Sequence, residues 1–151
     1  MKTPIQFAYR QRGVMLLEAL ISILIFSIGI LAIIGLQVNS IKLANDSRYR
    51  SDANLLANQI VGEMWAAHTS PSFTTAFISP AGASYVAWAN RVAATIPTTG
   101  VSAPTVAITQ STLAIAGASS VVSSTATIDI YWSVPGDSST HRYTTLTQIN
   151  N

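Results

Sequence analysis

With 151 residues the chain has room for one modest domain plus an additional element, and not for two full domains. Apolar residues make up 49% and charged residues 9%, which excludes a wholly soluble, highly charged protein and points to a membrane segment. The net charge of +2 marks no basic surface: Lys2, Arg10 and Arg12 precede Gly13 with no acid among them, and from Val14 onward five bases face six acids. No stripe of lysine and arginine suits a nucleic-acid contact. With no cysteine, disulfides, thiolate metal sites and a cysteine nucleophile are excluded.

Residues 1–13 are polar and basic, contain Pro4, and read as a short leader. Residues 14–68 contain no proline and are predicted to form one long helix. Its first part, Val14–Leu36, is a 23-residue apolar run whose one charge is Glu18. About 20 helical residues cross a bilayer core, so this run is long enough to span. Ser22 and Ser27 can hydrogen-bond within the helix and do not argue against lipid. The positive leader predicts a cytoplasmic N-terminus and a C-terminal domain on the periplasmic side.

Beyond Leu36 the helix pattern continues but becomes amphipathic. Tyr49, Ala53, Leu56, Ala57, Ile60, Met64 and Ala67 recur at steps of three and four, while Arg48, Leu55, Asn58, Gln59 and Gly62 fall on the far side. The residue before Pro71 disfavours helical geometry, which places the helix end near His68. Residues 69–151, rich in Ser, Thr, Ala and Val, read as short strands and loops. Strand candidates are Thr105–Thr109, Thr112–Ile115, Ser124–Val134 and His141–Ile149. In the third, Ala126, Ile128, Ile130, Trp132 and Val134 alternate with polar residues, a period of two with one apolar face. Pro135-Gly136-Asp137 supplies turn chemistry, predicting an antiparallel hairpin laid over the amphipathic half-helix. Tyr85–Ala93 fits either a short helix or a strand.

The chemistry is carried by Gly13-Val14-Met15-Leu16-Leu17-Glu18, which runs directly into the apolar segment. An ordinary secretory signal is cut after its apolar core; here the best candidate cut lies before it, after Gly13. Glu18 is expensive in a spanning segment, about 2.5–3.5 kcal/mol for a charge at the centre and less toward the edge. Cleavage would create a partner for it, the new α-amine of Val14. The two are four positions apart, so they can pair within one helix or between adjacent subunits.

This arrangement resembles the signal of type IV prepilins and pseudopilins: a short basic leader, glycine before the cut, a hydrophobic first mature residue, glutamate as the fifth, and a long apolar helix. Gly13, Val14 and Glu18 match those positions one by one. The run Leu17–Gln37, ending Ile34-Gly-Leu-Gln37, is similar to the PilV group of minor pilins. The resemblance implies an α+β fold, a long N-terminal transmembrane and amphipathic helix with a small antiparallel sheet on its C-terminal half. It implies a prepilin peptidase that cuts after Gly13 and N-methylates Val14, and Glu18 as the residue that sets register during assembly. Implied partners are other minor and major pilins through the N-terminal helix. The implied location is the inner membrane and then the pilus at the cell surface, with priming of assembly, twitching motility or adhesion as the role. Val14 stands where phenylalanine is usual, and Gly29 and Gly35 stand where major pilins often carry a helix-bending proline.

Two alternatives share parts of the pattern. A type II secretion pseudopilin shares every feature up to about Leu36, and a non-polymerising membrane-anchored binding domain shares the span. Outside this segment the residues have plain roles. His68 fits a helix end, where the dipole favours it, and His141 is expected to face solvent beside the turn. Asp129 belongs to a polar strand face, and Trp65, Trp88 and Trp132 are expected in the core. No catalytic constellation, metal ligand set or cofactor motif is present, and no Gly-x-Ser-x-Gly elbow surrounds the many serines.

Overall fold

The computed structural model describes residues 12–114, 121–137 and 139–150. Helix α1 runs unbroken over Arg12–Ala67, followed by α2 (Phe73–Phe77), α3 (Ala83–Thr95), β1 (Thr105–Leu113), β2 (Val121–Ser133) and β3 (Thr140–Asn150). The chain is α+β, a long N-terminal helix with a small antiparallel sheet on its C-terminal half. It divides into two units, Met1–Ile41 and Lys42–Asn151.

In the first unit the described residues belong to α1, and every one from Val14 to Ile41 is exposed. The backbone satisfies itself through the helix ladder, and the Ser27 hydroxyl donates to the Ile23 carbonyl at 2.7 Å. Residues 1–11 of the expected leader, 1–13, lie outside the described residues, as do Ile115, Ser119 and Ser120.

In the second unit the stripe expected from the sequence is the one that is buried. Ala53, Leu56, Ala57, Ile60 and Met64 are in the core, with Tyr49 and Ala67 half-buried against it; Arg48, Leu55, Asn58, Gln59 and Gly62 face outward. Trp65 corrects its expected core position: it is 46% exposed. One residue past Met64 it is turned about 100° off the buried stripe. The helix stops as expected, with His68 Nδ1–H donating to the Trp65 carbonyl at 2.7 Å and the Ser70 amide donating to Ala67 at 2.9 Å.

The stretch that periodicity left open is helical. α3 buries Tyr85, Trp88 and Val92 at steps of three and four, and α2 adds Phe73 and Phe77. Trp88 ties α3 to α1, its indole N–H donating to the Leu56 carbonyl at 2.8 Å, while the Tyr85 hydroxyl donates to Pro104 at 2.7 Å. Arg91 and Glu63 pair across the same two helices.

The sheet has the order β1-β2-β3, antiparallel throughout. The two separate strand candidates before residue 116 are one strand, β1, on its described length. β2 and β3 form the expected hairpin, with Thr140 opposite Ser133 and Asn150 opposite Ser123. Ala126, Ile128, Ile130, Trp132 and Val134 are all buried, joined by Val106 of β1 and Ile149 of β3. The hairpin turn is closed by the Asp137 amide donating to Val134 at 2.9 Å, with Pro135 second and Gly136 third at φ 81°. A positive φ at the third position after proline is type II geometry, which glycine adopts without steric cost.

Gly82, just ahead of α3, is a second position where only glycine fits, because a Cβ there would collide with the Ala76 carbonyl. Gly82→Ala is therefore expected to destabilise the protein by about 1–3 kcal/mol, the usual effect of overpacking. Thermal unfolding of the detergent-solubilised chain checks this, and an unchanged midpoint would contradict the close approach.

Candidate functional site

Gly13 and Val14 are the second and third residues of α1, so the bond between them lies in its first turn. That turn holds no acidic residue, and Glu18 follows in the next turn. Val14, Leu17, Glu18, Ile21 and Ser22 line one shallow surface, as residues at three- and four-residue steps must. Val14 is 66% exposed and Leu17 59%, with no protein covering this face among the described residues. None of the ion pairs among those residues includes Glu18. The helix is long and apolar enough to cross a membrane.

The positions singled out by sequence are thus brought together by one helical turn and nothing else. The amine that a cut after Gly13 would expose lies on the face that carries the Glu18 carboxylate. Glu18 lies one turn in from the helix N-terminus. Chemically the arrangement offers a charge–charge contact inside an apolar surface. Among the described residues no group of three or more His, Asp or Glu side chains is placed to hold a metal.

A polar cluster in the second unit was not anticipated. His141 is half-buried and does not face solvent as expected. Its ring stacks on Trp132 with centroids 5.6 Å apart and planes 17° from parallel. Nδ1 lies 3.0 Å from Asp46 Oδ1 of α1, and Nε2 lies 3.4 Å from Asp137 Oδ2 of the hairpin turn. The Asp46 contact is an ion-pair approach without an aligned hydrogen bond, and Asp46 Oδ1 is buried with no other partner. A protonated imidazole can serve both carboxylates, a neutral one only one of them. The stack was available from the hairpin, since Trp132 and His141 are cross-strand partners and His141 has the parity of the inward residues Tyr143 and Ile149. The link to Asp46, far away in sequence, left no local signal.

Asp129 lies on the outer strand face as expected, accepting from the Thr144 hydroxyl at 2.5 Å with Arg142 Nε at 3.7 Å. Trp88 and Trp132 are fully buried. The Trp132 indole N–H has no hydrogen-bond partner among the described residues. Compared with protein-family models, curated proteins and solved structures, the chain matches none.

The hairpin turn has a definite acid response. The Ser139 hydroxyl and amide both donate to Asp137, at 2.6 and 3.1 Å, and with help from His141 they hold its carboxyl down at about 2 from an ordinary 3.8. The depressed value means that Asp137 contributes stability in full above the ordinary carboxylate range. That contribution is lost as pH falls from about 3.8 toward 2. Asp137→Asn is expected to flatten the dependence of the unfolding midpoint on pH in this window. Identical acid limbs for the two proteins would contradict the assignment.

Proposed function

We propose that this chain is a minor pilin of the type IV family, PilV-like, that primes pilus assembly from the inner membrane. A prepilin peptidase cuts between Gly13 and Val14 and methylates the Val14 amine. The apolar half of α1 then leaves lipid and buries its surface against the helices of neighbouring pilins. Glu18 meets an N-terminal amine of an adjacent subunit and so fixes the axial register. The second unit remains outside the membrane as the part presented at the pilus surface.

The observation that carries this reading is the position of Glu18. It is the one charge in a bare apolar half-helix, one turn beyond the bond after Gly13, with no partner among the described ion pairs. A plain anchor has no use for a carboxylate there, whereas a processed helix supplies the complementary charge from its own chemistry. The packing of the second half of α1 supports the same reading, because it leaves the first half free for lipid and then for other helices.

Mass spectrometry of the protein from pilus-producing cells is expected to find N-methylvaline at Val14 as the mature terminus. An intact Met1, or a cut beyond Leu36, would make the segment an ordinary anchor or signal and overturn the proposal. Pull-down is expected to recover pilus components and not those of a secretion system. Glu18→Ala is expected to leave cleavage largely intact. A charge-assisted contact contributes about 1.5–3 kcal/mol, so incorporation into sheared pili should fall about tenfold or more. Normal incorporation of this variant would refute the register role.

A further inference from the structure

Three elements bring charge to the ring of His141. From α1, Asp46 Oδ1 lies 3.0 Å from Nδ1. A Cβ built on Gly136 would touch Lys42 Cε at 3.7 Å, so this lysine of α1 lies over the hairpin turn. Arg50, one turn beyond Asp46, is exposed. From the turn come Asp137 Oδ2, 3.4 Å from Nε2, and the Ser139 hydroxyl, 3.5 Å from the same nitrogen. From β2 comes only the stacked face of Trp132. On β3 itself Arg142 points to the opposite face, toward Asp129, and the Tyr143 hydroxyl is occupied with Asn54 at 3.1 Å. The ring thus stands between two carboxylates with one lysine beside them.

The two carboxylates are not equivalent. Asp46 Oδ1 is buried without an aligned hydrogen bond, so its neighbour on Nδ1 decides whether its charge is answered. Asp137 is exposed and keeps two donors of its own, the Ser139 amide and hydroxyl. A charged ring has one N–H for each carboxylate, and as a cation it gains from the indole face on which it stacks. A neutral ring has a single N–H. Carried on Nε2, it would leave a lone pair against the buried carboxylate, which has no water to turn to. Carried on Nδ1, it answers Asp46 and turns the lone pair of Nε2 toward Asp137. Loss of the proton therefore falls on the exposed contact.

We propose that His141 is a proton-operated latch, which ties the hairpin turn to α1 when the ring is charged and releases the turn at Asp137 when it is neutral. Imidazole is the side chain whose charge ordinarily changes between about pH 5 and pH 8. That range lies above the one in which Asp137 itself takes up a proton. The turn is thus held in mild acid and loosened on the alkaline side, while the ring remains docked on Asp46 in both states.

The full chain in detergent micelles, isotopically labelled in the nitrogens of its two histidines, tests this by NMR, with His141→Gln assigning the signals. The His141 ring is expected to carry protons on both nitrogens at about pH 5 and on Nδ1 alone at about pH 8. Amide protection at Asp137 and Ser139, corrected for the intrinsic pH dependence of exchange, should fall about threefold or more between these conditions. Protection at Ile128 and Ile130 should stay level. Asp137→Asn supplies an amide that accepts from a charged ring or donates to a neutral one, so its turn should be held equally at both pH values. His141→Gln, which cannot change charge, should also remove the step. A neutral ring protonated on Nε2, equal protection of the unaltered turn at both pH values, or a step of full size in either variant would each overturn the proposal. None of these results bears on processing at Gly13.

Discussion

A helix that enters lipid must keep its backbone ladder closed over the whole apolar length, because hydrocarbon offers no replacement partner for a freed amide or carbonyl. This chain meets that constraint. Prolines stand at 4 and 71 with none between, and α1 runs without interruption from Arg12 to Ala67. One element has two surroundings: from Val14 to Ile41 its side chains are exposed, with no cover among the described residues, and from Lys42 it carries one stripe that α3 and the sheet bury. Burying a single Leu or Ile side chain contributes about 1.5–3 kcal/mol. A bare run including Leu24, Phe26 and Leu31, each at least 60% exposed, has a correspondingly large free energy to gain from an apolar environment.

Against that background one carboxylate carries the functional argument. Every other residue from Val14 to Leu36 is uncharged, so Glu18 is tolerated for a reason other than solubility. Its distance from Val14 is one helical turn, the spacing at which a new amine and a carboxylate share a face. The reading as a minor pilin rests on this spacing and on the resemblance of the flanking residues.

The second unit solves a different problem, covering one stripe of a helix with little sequence. Three strands supply one buried face, and α3 closes the flank through Trp88 on the Leu56 carbonyl. One cluster of its polar side chains lies where the hairpin turn meets α1, with His141 between Asp46 and Asp137 and stacked on Trp132. At the β1 edge Ser79 caps the backbone of Val106.

Amino-acid order alone determined the features that repeat locally. The apolar run, the period of 3.6 through Ala53, Leu56, Ala57, Ile60 and Met64, and the period of two through Ala126–Val134 each fix an element and its buried face, because side-chain direction follows backbone geometry. The Gly13–Val14–Glu18 spacing was legible for the same reason. Trp65 was legible as well, since it lies about 100° from the Met64 stripe that the same period records. Other features required distant segments to meet. Tyr85–Ala93 became a helix, since only contact with α1 decides between two periods over so short a stretch. His141 is held inward also by Asp46 of α1, far away in sequence. The links of Asp46 to His141 and of Leu56 to Trp88 join residues tens of positions apart, and no local pattern records which of them the packed chain will make.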